Sequence, residues 1–250
     1  MIKGRIALVT GAARGIGQAV ATALVASDHR VVIVDRDADA LHVAAAALAP
    51  ERVFPLCMDL RERNSIEALG ESVRSHWGDV SILVNNAAIS PKHGGRGQGI
   101  SEIKLQEWNA ILEVNLTVPM LLAQQFVPAM RRARWGRIVN VSSRAGRTYS
   151  HSAAAAYTAS KAAILGLTRS LAGELAPHGI TANSVAPGLI ETQLSSHIGP
   201  EQMEKVRAII PLNRAGQPSE PAAAIAFLVT EEAGFITGAC IDVNGGAFMP

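Results

Sequence analysis

Short runs of β-branched and other apolar residues recur along the chain, and longer stretches with helical patterns separate them. Several short runs are apolar throughout, as is expected of strands that are covered on both faces of a sheet. They predict strands at residues 5–10, 30–35, 52–59, 80–86, 136–143, 180–188 and 239–246. Strands that alternate with helices in this way indicate an α/β fold with a parallel sheet between two layers of helices.

No linker, repeat or change of composition divides the 250 residues, so we predict a single domain over residues 1–250. Two stretches depart from the alternation. Residues 90–101 are glycine-rich and predict a loop, and residues 191–217 are irregular, with a short helix predicted at 201–210. Long insertions of this kind in compact domains are often lids or binding loops.

Composition excludes several classes of function. Lys and Arg number 23 against 21 Asp and Glu, a net charge of +2, and no basic run resembles a nucleic-acid footprint. Two cysteines and seven scattered histidines show no disulfide framework and no metal-ligand spacing, so we predict no metal site. No stretch approaches the ~20 apolar residues of a membrane span, and the N-terminal apolar run is too short for a signal peptide. We therefore expect a cytoplasmic protein with no membrane or nucleic-acid partner.

Tyr157 and Lys161 lie four residues apart in a run rich in alanine and leucine, which predicts a helix. Residues one turn apart share a helix face. A cation beside a phenol lowers the pKa of that phenol. A tyrosine with such a pKa can exchange a proton near neutral pH, as general acid–base catalysis requires. The pair alone also fits an ordinary helix with a half-buried ring and a solvated lysine.

A glycine-rich loop follows the first predicted strand and opens a helix. Gly11, Gly15 and Gly17 have a spacing that permits a sharp turn and close approach of the backbone to a pyrophosphate. The second predicted strand ends in Asp35, whose carboxylate can accept hydrogen bonds from ribose hydroxyls and would repel a 2′-phosphate. This pattern favours NAD over NADP, although Arg14 and Arg36 could each meet a 2′-phosphate.

Small and polar residues also end the third and fourth predicted strands. Asp59 is at the end of the third strand, beside the expected position of an adenine ring. Asn86, Ala87 and Ala88 follow the fourth, where small residues leave room for a ligand to cross the sheet edge. Each of these residues taken singly also fits ordinary turn chemistry.

Together these motifs resemble the short-chain dehydrogenase/reductase family. The resemblance spans nearly the whole chain and rests on TGAARGIG, the acidic end of strand two, NNAA, EVNL, IVNVSS, YTASK, VAPG and ITGACIDVNGG, in that order. It implies a Rossmann fold with a seven-stranded parallel sheet flanked by helices on both faces. It also implies an NAD(P)-dependent oxidoreductase that interconverts a secondary alcohol and a ketone.

The resemblance further implies a catalytic set. Tyr157 would be the acid/base, and Lys161 would lower the pKa of Tyr157 and bind the nicotinamide ribose. Ser143 would bind and polarise the substrate oxygen, and Asn115 would hold a water in a proton relay to Lys161. The interval from Ser143 to Tyr157 is one residue longer than the usual family spacing, so Ser142 remains an alternative to Ser143.

The same resemblance implies the residues that hold the dinucleotide. They are Gly11, Arg14, Gly15, Ile16, Gly17, Asp35, Arg36, Asp59, Leu60, Asn86, Ala87, Ala88, Tyr157, Lys161, Pro187, Gly188, Ile190 and Thr192. Pro187 and Gly188 would lie beside the nicotinamide, and Ile190 and Thr192 would hold its carboxamide. Family members are usually homotetramers, and we expect the same of this chain.

A polar and partly basic region is expected over the carboxyl ends of the strands. Its residues are Lys92, His93, Arg144, Arg147, Tyr149 and His151. They favour a small polar substrate, such as a sugar, polyol or hydroxy acid, although each charge alone also fits a solvated surface.

Two other functions stay open. The chain is also similar to NADPH-dependent 3-oxoacyl-acyl-carrier-protein reductases, but Asp35 disfavours NADPH. Gly173 also replaces the arginine with which those reductases dock the acidic carrier. The second is a dinucleotide-binding scaffold without turnover. The competent residues at all four catalytic positions argue against that function.

Overall fold

Seven parallel strands form the central sheet in this computed structural model, which describes residues 4–94, 97–150, 153–192, 204 and 207–250. The strand order is β3-β2-β1-β4-β5-β6-β7. The bounds are β1 Ile6–Thr10, β2 Arg30–Asp35, β3 Val53–Cys57, β4 Ile82–Asn85, β5 Gly136–Val141, β6 Ile180–Pro187 and β7 Cys240–Val243. All seven predicted strands form, and the predicted α/β sheet is confirmed.

Helices cover both faces of the sheet. They are α1 Gly15–Ala26, α2 Ala38–Ala46, α3 Arg63–His76, α4 Leu105–Leu112, α5 Val118–Ala133, α6 Ala155–Leu175 and α7 Ser219–Leu228. One core cluster holds Leu69, Phe126 and Leu175 of α3, α5 and α6, and the opposite cluster holds Leu24 and Ile225 of α1 and α7. The central strands are buried on both sides, which explains why their sequences are apolar throughout.

Helices α4 and α5 join through a π-helical turn at Glu113–Thr117 into one run of 29 residues. That run is long and apolar enough to cross a membrane by length and composition alone, so the expectation that no stretch approaches that size was wrong. Half of its apolar window is buried inside the fold, and Leu122, Phe126 and Met130 pack into the core. The core position of these side chains explains the apolar composition of the run.

The topology places a crevice at the carboxyl edge of the sheet. Strand β1 pairs with β2 on one side and with β4 on the other. The chain therefore leaves β1 and β4 toward opposite ends of the sheet, and ligands of open α/β sheets bind at such a switch point. The glycine-rich loop, the NNAA segment, Ser143 and Gly188 all follow strands at this edge.

Candidate active site

The glycine-rich loop is shaped for a close backbone approach. Gly11 and Gly15 adopt positive φ angles of +64° and +57°, and a Cβ added at Gly17 would lie 2.2 Å from the carbonyl oxygen of Gly11. Helix α1 has neither a side-chain cap nor an acidic residue in its first turn. Its first N–H groups therefore have no side-chain acceptor, and such a helix end favours an anion. Ile16, also expected to contact the dinucleotide, packs against the core.

Asn86 braces this loop. Its Nδ2 donates to the carbonyl oxygens of Thr10 (2.9 Å) and Gly11 (3.0 Å). The Thr10 hydroxyl in turn accepts hydrogen bonds from the backbone N–H groups of Asn86 and Ala87, at 3.1 and 3.0 Å. Ala88 follows, partly exposed. Sequence reasoning missed Thr10, although the polar end of an otherwise apolar strand was a signal.

Charged residues meet beside the loop at the end of β2. Asp35 accepts from the backbone N–H of Ala13 (3.1 Å) through one oxygen and from that of Asp37 (3.2 Å) through the other. Each carboxylate oxygen has two lone pairs, so Asp35 keeps acceptor capacity for a ribose hydroxyl. Arg14 pairs with Asp37 at 2.5 Å, and Arg36 is exposed.

Asp59 and Leu60 follow β3, and their side chains make different contacts. The Asp59 carboxylate receives the guanidinium of Arg61, with Nε 2.9 and 3.0 Å from its two oxygens. These hydrogen bonds lower the pKa of Asp59. Leu60 packs against the core cluster under α3 and α5. Asp59 thus has a protein partner in this structure, and the Leu60 side chain takes part in core packing.

Ser143 and Tyr157 face each other across the cleft. The Ser143 Oγ accepts from the backbone N–H of Ala145 (3.1 Å) and forms a side-chain hydrogen bond with the phenol of Tyr157. Ser142 is buried and donates to the carbonyl oxygen of Lys161 at 2.6 Å. Ser143 is therefore the serine that points at the phenol, and Ser142 fastens its strand to α6.

Lys161 is buried beside Tyr157. Its Nζ donates to the carbonyl oxygen of Val141 at 2.6 Å and lies 5.8 Å from the centroid of the Tyr157 ring. Loss of solvent around the amine lowers the pKa of Lys161 to about 8.

The sequence predicted a lowered pKa for Tyr157, and the structure shows the opposite direction. Removal of the phenol from solvent raises the pKa of Tyr157, and only the hydrogen bond with Ser143 acts against this rise. The reason is geometric, because the Lys161 amine is directed at Val141 rather than at the phenol oxygen.

Asn115 lies in the π-helical turn and is almost fully buried. Its side chain accepts from the backbone N–H of Ile89 (2.8 Å) and donates to the Ile89 carbonyl (3.1 Å) and to the Ser160 hydroxyl (3.1 Å). Ser160 donates to the carbonyl oxygen of Tyr157 at 2.8 Å. Asn115 therefore links the segment after β4 to the turn of α6 that carries Tyr157.

The segment after β6 closes the cleft from the other side. Pro187 is the last residue of β6, and a Cβ added at Gly188 would lie 2.8 Å from the backbone that follows β7. Ile190 is buried. The methyl group of Thr192 lies against Gly15, 3.2 Å from the position a Cβ would take there. The structure thus brings Thr192 to the glycine-rich loop, as the dinucleotide prediction requires.

Two of the basic residues expected around the substrate have acidic partners. Arg147 pairs with Asp242 at 3.1 Å, and both side chains are largely buried. His93 and Glu107 are 2.7 Å apart. These pairs reduce the basic character that the sequence predicted for the region.

The other polar residues of that region differ in exposure. Lys92 is half-buried, which lowers the pKa of its amine, whereas Tyr149 is largely exposed. His151 and five of the ten residues of the predicted helix at 201–210 lie outside the described residues. Within the described ranges no group of three or more His, Cys, Asp or Glu side chains could hold a metal ion.

Comparisons with known proteins match the whole fold. A family model described as enoyl-(acyl carrier protein) reductase matches residues 11–247. The 3-oxoacyl-(acyl-carrier-protein) reductases of Salmonella typhimurium (strain LT2) and Escherichia coli (strain K12) are 39% and 38% identical over 247 residues, which are 99% of this chain and 98% of each relative.

Two crystal structures from Brucella melitensis give the same result. A 3-oxoacyl-(acyl-carrier protein) reductase from strain ATCC 23457 superimposes with a TM-score of 0.94 at 38% identity, covering 99% of this chain and 92% of its own. A second such reductase, with bound NAD, has a TM-score of 0.92 at 38% identity and covers 100% of this chain and 93% of its own.

Proposed function

We propose a function from one premise: the chain belongs to the short-chain dehydrogenase/reductase family. It is an oxidoreductase of the Rossmann fold. We propose that it reduces the ketone of a 3-oxoacyl thioester to the corresponding secondary alcohol, with NADH as the hydride donor. The observation that carries the proposal is the convergence of Ser143, Tyr157 and the buried Lys161 amine, whose Nζ lies 5.8 Å from the centroid of the Tyr157 ring.

Ketone reduction needs a proton donor at the carbonyl oxygen, and removal of the Tyr157 phenol from solvent raises its pKa, so the phenol is protonated at neutral pH. The same residue would accept the proton in alcohol oxidation, so the names of the relatives, all reductases, support the reductive direction.

The relatives support a 3-oxoacyl substrate better than a sugar, polyol or hydroxy acid. Those that we compared are named 3-oxoacyl-(acyl-carrier-protein) reductases. The pairing of Arg147 with Asp242 and of His93 with Glu107 also removes charge that would have held a small acid. Gly173 has open space around it and no docking arginine, so the carrier would need other contacts than the relatives' arginine supplies.

In this proposal each catalytic side chain has a separate task. The Ser143 and Tyr157 hydroxyls hold the ketone oxygen by hydrogen bonds, where negative charge develops. Tyr157 then gives its proton to that oxygen. The ammonium of Lys161 would hold the nicotinamide ribose. Asn115 positions Tyr157 through Ser160. A reduced nicotinamide, when bound, supplies the hydride for the carbonyl carbon.

The loop geometry fits a dinucleotide. The uncapped first turn of α1 and the close packing of Gly17 on Gly11 suit a pyrophosphate. Asp35 suits an unphosphorylated ribose, which supports NAD over NADP. We also propose a homotetramer, supported by the exposure of Phe227, Phe235 and Met249. A cytoplasmic location is proposed because Leu122, Phe126 and Met130 of α5, in the long helical run, pack in the core.

A panel of substrates with each coenzyme tests this function. The substrates are acetoacetyl thioesters of coenzyme A and of acyl carrier protein. We expect the protein to reduce them faster with NADH than with NADPH. The measurement is the loss of absorbance of the reduced nicotinamide. Crotonyl thioester tests enoyl reduction, and NAD⁺ with sugars, polyols and hydroxy acids tests the polar-substrate alternative. Nucleotide binding with no turnover of any panel member would indicate a scaffold.

We expect the reductive kcat/KM to decline as pH rises above about 8. The burial-lowered pKa of Lys161 means that the amine is charged below about pH 8 and neutral above it, so the cation that would hold the nicotinamide ribose is lost. The pH dependence of kcat/KM reports the ionisation of groups in the free enzyme. Above the pKa of Lys161, kcat/KM should therefore fall about tenfold per pH unit. The measurement is a pH profile of acetoacetyl-thioester reduction. A flat profile up to the ordinary lysine value of 10.5 would contradict the role of Lys161.

A further inference from the structure

Two carboxylates and two guanidinium groups meet where β2 ends and α1 begins. Asp35 and Asp37 flank Arg36 along the chain, and Arg14 precedes α1 in the glycine-rich loop. In the proposed dinucleotide site the adenosine ribose would lie at this corner. The charges here therefore decide between a ribose 2′-hydroxyl and a 2′-phosphate.

Arg14 would suit a 2′-phosphate if its guanidinium were available, because the N–H donors of the planar guanidinium group match the spacing of two phosphate oxygens. In the structure its Nη2 instead donates to Asp37 Oδ2 at 2.5 Å. Both side chains are part-exposed, at 47% and 40%. A pair of this exposure is weak and exchanges readily, so a competing anion can displace Asp37 at a cost.

Asp37 is held in place by contacts that do not involve Arg14. Its Oδ1 accepts from the backbone N–H of Ala40 at 3.0 Å and caps α2. Its own N–H donates to Asp35 Oδ1 at 3.2 Å. The hydrogen bonds from Ala40 and Arg14 lower the pKa of Asp37, so it remains ionised at neutral pH. The carboxylate is thus fixed by α2 and β2 independently of its ion pair with Arg14.

We propose that Asp37 is a positioning residue for coenzyme selection, which withholds Arg14 from a 2′-phosphate while Asp35 meets the ribose directly. The inference rests on the proposed dinucleotide function and adds the residue that sets its selectivity. It also accounts for a glycine-rich loop that carries an arginine in a site that favours NAD.

Calorimetric titration with 5′-ADP and 2′,5′-ADP tests this without turnover. Asp37→Asn removes the charge yet keeps an acceptor oxygen for the cap of α2, because Asn caps as well as Asp. We expect its affinity for 2′,5′-ADP relative to 5′-ADP to rise about fivefold, the scale of one exposed ion pair. Asp39→Asn is the matched control, because Asp39 is exposed in the first turn of the same helix. For Asp39→Asn, the ratio of the affinity for 2′,5′-ADP to that for 5′-ADP should stay near the ratio of the unmodified protein.

Arg14→Met completes a double-mutant cycle. If Asp37 acts through Arg14, the gain from Asp37→Asn disappears in the Arg14→Met background. An unchanged ratio in Asp37→Asn, an equal gain in Asp39→Asn, or a gain that survives Arg14→Met overturns the inference. Failure of the unmodified protein to bind 5′-ADP overturns the dinucleotide site as well. An Arg14-dependent ratio without any reductase turnover supports the inference and contradicts only the proposed reaction.

Discussion

Tyr157→Phe is expected to lower kcat for acetoacetyl-thioester reduction by about 10²–10⁴-fold, the range contributed by a positioned general acid. The variant keeps the ring and its packing but removes the hydroxyl that bonds to Ser143. The ketone oxygen then loses its proton donor. The measurement is steady-state kinetics with saturating NADH.

Binding and folding provide the controls for this variant. The glycine-rich loop and the Lys161 amine are untouched, so NADH affinity measured by fluorescence should change little. Thermal unfolding should also be close to that of the unmodified protein, because one hydroxyl in a partly exposed cleft is lost. A variant that turns over at near-native rates would show that another group delivers the proton.

Gly17→Ala is expected to weaken both coenzyme binding and stability. The new Cβ would lie 2.2 Å from the Gly11 carbonyl oxygen and 2.6 Å from Asn86 Nδ2. Gly11 and Asn86 form the brace of the loop, so the backbone that meets the pyrophosphate has to move. Overpacking of this kind costs roughly 1–3 kcal/mol. A displacement of the reacting groups by ~1 Å lowers kcat/KM by ~10²-fold.

Gly173→Ala is the matched control, because no atom lies within 4 Å of the Cβ position there. Gly173 is exposed within α6, and alanine is the better helix former by roughly 0.5–1 kcal/mol. Urea denaturation should therefore move in opposite directions for the two variants. Equal behaviour of the two would mean that the loop accommodates a Cβ at residue 17 and would contradict the steric role of Gly17.

Much of the fold was predictable because buried parallel strands leave a strong apolar signal. The predicted segment 30–35 coincides with β2. The others extended one or more residues too far at one end or both, as at 136–143, where β5 ends at Val141. Most of the extra residues at the carboxyl ends are polar or small, and they belong to the loops that carry the site. The apolar pattern that predicts a strand does not extend into the loops of the site, because loop residues contact ligand or other segments rather than the core.

The site was predictable as a set of residues but not as a set of contacts. Asn86 and Asn115 were expected to meet ligand or water, and both also bind neighbouring backbone. The pair of Arg14 with Asp37 joins residues that the linear order separates by a helix and a strand. Such partners become neighbours only when parallel strands place their carboxyl ends together.

The sequence by itself determined the α/β class, the seven strands, the dinucleotide loop and the Tyr157–Lys161 spacing, because each rests on local periodicity or on a short motif. Only the tertiary structure decided that Ser143 rather than Ser142 faces the phenol and that the Lys161 amine is directed at Val141. It also decided that desolvation raises the pKa of Tyr157. Successive side chains of an extended segment point to opposite sides, so the choice between Ser142 and Ser143 depends on where the segment lies in the fold. The loss of water around a phenol depends on every element packed over it, so the direction of its pKa shift cannot be determined from neighbours in sequence.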